Sequence, residues 1–483
     1  MIFRVATRLW NSPTFTTWGK QAAEALRMLA VTPLILVRFD TTEIAAWYLF
    51  GSLMFFGSMI QGRMSLTFSR MIAFGMGGAT DLAPIRDGAK RKSGNGEPNW
   101  AVIARAYGTI GALNALLAVL VGVLALGMGY YGLQRMVGVH PRPGDIWAAF
   151  GIVVGSQTFI FAYKKYEVAL KGMNYVALIN RWSTLFSLLS VVGGFTALSL
   201  GANIWQLALT MQSVLLLDIL RMRLLLRFVE DGRARSFPPF RIDREVLSWA
   251  WPPFWKGFVT NISQEGVVQF ALVLFARHGD PVIVASFLFS YRILRVIGRI
   301  ANAPFSSHMP KLSRLIAQND DRAFGRLLIR QIFQAQALLA AGIVLGGVGL
   351  YLVLPMIGAN ISFLDLRYWF LLGLIFIVHR FLVLTRAAFE LGNAFPFLKL
   401  EVTAGLIALG AVITLVPTGN LWAVILAPLA PSIILINLVA IRRCARFIEI
   451  PPMQYLRRTS LWLVLGYLVA AAVVLTMITP ERG

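Results

Sequence analysis

The chain has a single cysteine, Cys444, so it can form neither an internal disulfide nor a cysteine-based metal cluster. Histidine is scarce as well. His140, His278, His308 and His379 are scattered, with no HExxH or other paired metal-ligand spacing, and no metal or other cofactor is expected. A GxxxxGK[ST] run is missing, which excludes nucleotide hydrolysis on a P-loop. Acidic residues are few, 22 Asp+Glu against 45 Lys+Arg, for a net charge of +23. Taken alone, that charge suggests a nucleic-acid partner. Its distribution along the chain argues against one.

Apolar residues are abundant. The 483 residues are 57% hydrophobic, with a mean hydropathy of +0.69, above the roughly 45 to 50% apolar content of soluble domains. Lipid is therefore the expected solvent. The start, MIFRVATRLWNSPTF, lacks the compact apolar core and small-residue cleavage site of a secretory signal, so the first hydrophobic segment is expected to remain.

A helix needs about 20 mostly apolar residues to span the hydrocarbon core. Candidate spans lie at 14–37, 43–66, 106–130, 146–168, 174–199, 204–226, 248–275, 281–304, 332–356, 365–388, 397–416, 421–441 and 459–478, about 13 helices in an all-α polytopic membrane protein. The first and seventh are the least hydrophobic. With the N-terminus inside, the inner connections include RDGAKRKSGNGE (86–97), KKYEVALKG (164–172), 221–245, 311–330 and 441–458. Of the 45 Lys+Arg, Arg38, Arg135, Arg142, Arg277, Arg367 and Arg482 fall outside and Arg27 within the first helix. The rest fall on the inner side, as basic residues do in cytoplasmic loops.

The long connection containing SFPPF divides the first twelve helices into six plus six. The expected domains are 13–228, a linker at 229–245, a second lobe at 246–447, and an extra helix with its tail at 448–483. Both halves start inside, as parallel repeats do. WGK (18–20), Asp40 and SRMIA (69–73) in the first half are echoed by WKG (255–257), Asp280 and SRLIA (313–317) in the second.

Several charges fall within spans. FLFSYRILRVIGRIANAPF (287–305) carries Arg292, Arg295 and Arg299 at spacings that share one helical face. Counting from Asp280 at 1.5 Å per residue, Arg292 lies about 18 Å deep, where a charge costs roughly 2.5 to 3.5 kcal/mol. Arg299 can snorkel to the inner interface. Lys20, Glu24 and Arg27 share a face of the first helix. The seventh carries Lys256, Asn261, Gln264 and Glu265, with a break expected at Pro252 and Pro253. His379, Arg380, Arg386 and Glu390 fall in the tenth, and Asp218 is placed to pair with Arg221 or Arg223. These groups can be local ion pairs, or they can line a water-filled cavity whose excess of guanidinium predicts an anionic guest.

YKKYEVALKGMNYVALINRWSTLFSLLSVV (163–192) and PKLSRLIAQNDDRAF (310–324), with the two six-helix halves, resemble the polysaccharide-transporter branch of the multidrug/oligosaccharidyl-lipid/polysaccharide (MOP) exporter superfamily, which includes the O-antigen flippases. The resemblance covers about residues 13–447. It implies a V-shaped pair of lobes that alternates between inward and outward openings. The implied cargo is an undecaprenyl-diphosphate-linked oligosaccharide, moved from the cytoplasmic to the periplasmic leaflet for O-antigen, exopolysaccharide or capsule assembly. It implies no catalysis. Carried over by residue, the diphosphate role falls on Arg27, Arg292 and Arg295, helped by Lys20 and Lys256. Glu24 and Glu265 are candidates for a coupling proton or Na⁺. The implied setting is the bacterial inner membrane, with a cytoplasmic N-terminus and periplasmic C-terminus, among membrane lipids and polysaccharide-assembly proteins such as a polymerase. The alternatives are a multidrug or small-solute antiporter, a lipid II flippase, which usually has fourteen helices, and a membrane glycosyltransferase or polymerase.

Overall fold

The computed structural model describes residues 13–78, 97–138, 140–317, 320–390 and 396–478, and among them there is helix and no strand. Most of the basic loop 86–97 and Arg482 lie outside the described residues, as does the side chain of Glu390. In chain order the helices are α1 (Pro13–Ala30), α2 (Thr32–Arg38), α3 (Thr41–Met76), α4 (Trp100–Val137), α5 (Pro143–Tyr163), α6 (Lys165–Gly172), α7 (Val176–Ser199) and α8 (Ile204–Phe228). There follow α9 (Arg244–Asn261), a π turn at Ile262–Gly266, α10 (Val267–His278), α11 (Pro281–Ala301), α12 (Ala303–Ala317) and α13 (Asp321–Met356). The last are α14 (Leu366–Glu390), α15 (Leu398–Leu415), α16 (Leu421–Leu426), α17 (Ala430–Phe447), α18 (Pro452–Leu456) and α19 (Trp462–Ile478).

Each of the thirteen expected spans falls on helix, and among the described residues 11 helical stretches are long and apolar enough to cross a membrane. The two that fall short are the first and the sixth. Lys20, Glu24 and Arg27 interrupt α1, while Asp218, Arg221 and Arg223 interrupt α8. The seventh, expected to be weak, qualifies over Phe254–His278. The expected break at Pro252 and Pro253 is absent, because α9 runs through both prolines. The irregularity comes three turns later, at the π turn that carries Glu265.

Capping sets several helix starts. Asp280 accepts hydrogen bonds from Val282 and Ile283 with Pro281 in the first turn, so α11 begins where the sequence places the outer surface. Asp40 does the same for α3, accepting from Glu43 N at 2.9 Å while Glu43 bonds back to Asp40 N. The two aspartates of the sequence echo thus share one role. Asn203 and Gln206 form a further capping box on α8.

The chain divides into two compact units, the first formed by residues up to Phe39, Phe50–Tyr131 and Val137–Phe258, the second by Asp40–Leu49, Gly132–Met136 and Val259 onward. Within the first, α1 and α8 pack on α7, and α5 packs on α8. Its core joins Phe68, Ile72, Ile103, Ile110, Val168 and Leu170. Segment 237–245 is bound to this unit. The buried Lys165 donates to Pro239 O at 2.8 Å and lies 3.7 Å from the Phe240 ring centroid. Arg105 pairs with Asp243 at 2.6 Å and with Glu245. Thr109 Oγ1 accepts from Asp243 N, and Gly108 O accepts from Arg241 N. A side chain at Gly111 would collide with the Pro239 carbonyl, so glycine permits the approach. Arg105 holds the Asp243 carboxyl down to about 2, outside the spans.

Within the second unit, α13 packs on α12 and α14, and α17 packs on α14 and α15. The final helix, α19, joins this unit through α13 and α14, where Tyr467 donates to Phe370 O at 2.8 Å. Only Tyr467 and Ala471 of α19 are buried. Its remaining apolar surface is suited to lipid.

Candidate functional site

The three arginines of α11 share a face. Tyr291, Ile293, Leu294, Val296 and Gly298 are buried, whereas Arg292 and Arg295 are half-buried and Arg299 is exposed. Arg292 lies eleven residues past Pro281, about 17 Å along the helix. Arg295 is already engaged: its Nη1 donates to Glu265 Oε2 at 2.5 Å and reaches Tyr291 Oη at 3.5 Å. The sequence reading assigned these two residues to different roles, one to cargo and one to an ion. The fold brings them together as a pair, with side-chain exposures of 22% and 30%.

The π turn explains how Glu265 reaches α11. Its extra residue re-phases the helix locally, and such turns recur at functional sites. Gly405 on α15 holds it in place, since an added Cβ there would lie 2.6 Å from the Ser263 carbonyl oxygen. One turn earlier on α15, Glu401 accepts from Thr260 Oγ1 at 2.6 Å and from Arg386 Nη1 at 2.5 Å. This pair is buried, with side-chain exposures of 7% and 4%. Sequence reasoning named Arg386 but missed Glu401, whose partner lies 15 residues away across a helix connection.

His379 is also buried, and its Nε2 has no hydrogen-bond partner among the described residues. The same holds for Arg380 Nε, Gln264 Nε2 and Gln269 Oε1. His379 and Arg380 both lie within electrostatic reach of Glu265. These atoms are closed to solvent, and a buried donor or acceptor left without a protein partner is costly. In the second unit Arg292, Arg295, Arg380 and Arg386 thus stand against Glu265 and Glu401, an excess of positive charge within spans.

In the first unit, Lys20 lies 3.8 Å from Glu24 and 4.0 Å from Glu167. Glu24 and Lys20, which share a face of the first helix, therefore meet. Arg27 is half-buried one turn further along α1, and Lys256 is exposed on α9. Asp218 pairs with Arg221 at 2.5 Å, one of the two partners expected. Glu167 was missed as a site residue. It also binds Lys164 at 2.6 Å and Lys171 at 2.5 Å. The spacing in KKYEVALK, a lysine three before and four after one glutamate, is the signal that could have revealed it.

No family model and no curated protein matches the chain. Solved structures do. An inward-facing multidrug resistance MATE family transporter of the MOP superfamily superposes with a TM-score of 0.62 at 15% identity, covering 88% of this chain and 96% of that one. The lipid II flippase MurJ, in an inward closed conformation, gives 0.59 at 11% identity, covering 97% and 93%. An outward-facing MATE transporter gives 0.55 at 14%, covering 92% and 98%. The chain is an all-α polytopic membrane protein with the fold of these proteins.

Proposed function

We propose that the chain is a transporter that moves an anionic, lipid-linked oligosaccharide across the bacterial inner membrane by alternating access, with an undecaprenyl-diphosphate carrier as its cargo's anchor. The excess of guanidinium over carboxylate within the spans of the second unit carries this reading. Arg binds diphosphate oxygens bidentately, and low-dielectric surroundings strengthen the attraction. Among the candidates Arg292 is the primary diphosphate contact, because it is half-buried on the arginine face about 17 Å along α11. Arg27, Lys20 and Lys256 are the corresponding cations of the first unit. The likeness to a lipid II flippase supports a lipid-linked cargo at the level of fold.

Glu24 and Glu265 are the coupling candidates. Each is paired with a cation, so binding of a proton or Na⁺ would release Lys20 or Arg295 for the cargo. Surface polysaccharide assembly, with a polymerase and membrane lipids as partners, a cytoplasmic N-terminus and a periplasmic C-terminus complete the reading. In a deletion strain the lipid-linked repeat unit should accumulate on the cytoplasmic side. Arg292→Ala should reproduce that defect at normal protein level, and full polysaccharide export by this variant would refute the site.

A second reading, multidrug or small-solute antiport, is favoured by the MATE structures among the fold neighbours. It predicts drug resistance on overexpression. Against it stands the cationic character of the half-buried groups, since a cationic drug calls for the opposite sign.

A further inference from the structure

Glu167 is a carboxylate almost closed to solvent, at 4% side-chain exposure, yet three ammonium groups converge on it. Lys164 Nζ and Lys171 Nζ lie within hydrogen-bond distance, at 2.6 and 2.5 Å, and Lys20 Nζ lies 4.0 Å away. The lysines keep 29%, 37% and 22% of their side chains exposed. The negative charge is thus hidden behind the positive ones. Each ammonium has three donors, and Lys164 and Lys171 each form an ion pair with a different carboxylate oxygen of Glu167.

The fold makes this arrangement rigid. Helix α6 is locked onto α3, because Gly172 packs against Ile72 with no room for a Cβ, and Ser69 Oγ donates to Val168 O at 3.3 Å. A buried carboxylate that holds lysines together offsets their mutual repulsion and the entropy of ordering long side chains. Counting Glu24, 3.8 Å from Lys20, three ammonium groups face two carboxylates, so the cluster retains a single positive charge and spare ammonium donors. We propose that Lys20, Lys164 and Lys171, organised by Glu167, form a binding site for a phosphate group in the first unit.

The phosphate can come from an anionic lipid headgroup or from a soluble diphosphate, and the two are separable. The purified full-length chain in neutral detergent would be melted with sodium diphosphate or short-chain phosphatidic acid, against chloride of equal ionic strength. At least one probe should raise the melting temperature. Lys164→Gln/Lys171→Gln should weaken that probe about tenfold or more, the scale of losing charge-assisted hydrogen bonds. Arg326→Gln, an exposed cation of the second unit, should respond as wild type does. Stabilisation by diphosphate identifies a soluble ligand, and stabilisation by phosphatidic acid alone identifies a headgroup. Should the double variant lack a cooperative melt, Lys171→Gln, the most exposed of the three, should show a weakening in the same direction. No shift with either probe, or equal shifts in wild type and Lys171→Gln, would overturn the site. The transport assay is independent: it can fail while phosphate binding at Lys171 holds.

Discussion

Arg292 and Arg386 illustrate two fates for a charge within a span. Arg386 is buried against Glu401, so removing one partner leaves an isolated charge in the interior. Glu401→Ala should therefore destabilise the protein by about 3 to 5 kcal/mol, read as a fall in melting temperature of the purified chain. Arg292 is half-buried on the arginine face of α11, and Arg292→Ala should leave the melting temperature within a few degrees while abolishing export. Equal damage to stability from both changes would assign Arg292 a structural role. The arginine face was legible from the spacing 292, 295, 299, and its depth from Asp280. The pairing of Arg295 with Glu265 was not, because the residues lie 30 positions apart on different helices.

At the scale of elements, the π turn and the bound segment 237–245 shape the account most. Prolines 252 and 253 suggested a break in the seventh span, yet the helix continues through them and re-phases only at Ile262–Gly266. Both prolines lie in the middle of α9, where each removes a backbone donor, so the helix continues at the cost of those hydrogen bonds. Gly405→Val should crowd the Ser263 carbonyl, disturb Glu265 and destabilise by about 1 to 3 kcal/mol, measurable in the same melting assay. Segment 237–245 reads in sequence as a loop, since nothing in SFPPF announces that Lys165 and Arg105 hold it. Lys165→Ala removes a donor and a cation–π contact, so trypsin should cut at Arg235 and Arg241 markedly faster than in wild type.

The pH dependence of this segment follows from Asp243. Its carboxyl lies at about 2 in the fold, below its usual range near 4. The stabilisation is therefore present at pH above about 4 and is lost as pH falls through about 2. Pepsin cleavage within 237–245 should accordingly be faster at pH 2 than at pH 4 in the wild type, relative to an unstructured peptide substrate, whereas Asp243→Asn should show no such relative change between pH 2 and pH 4.

For the molecule as a whole, hydropathy and basic-loop alternation made the helices legible, because lipid imposes long apolar segments and topology sorts charge. Among the described residues the thirteen expected spans fall on helix, and the two that are not apolar enough to qualify, the first and the sixth, each carry at least three charged residues. Glu167 and Glu401 were hidden because their partners are set by tertiary packing. The central claim is that these cationic groups serve an anionic, lipid-linked cargo. The most direct measurement is translocation by the purified chain in proteoliposomes, comparing a fluorescent undecaprenyl-diphosphate-linked sugar with a cationic dye. The account predicts protein-dependent movement of the lipid-linked sugar that Arg292→Ala abolishes. Movement of the dye alone, or of the sugar at an undiminished rate in Arg292→Ala, would contradict it.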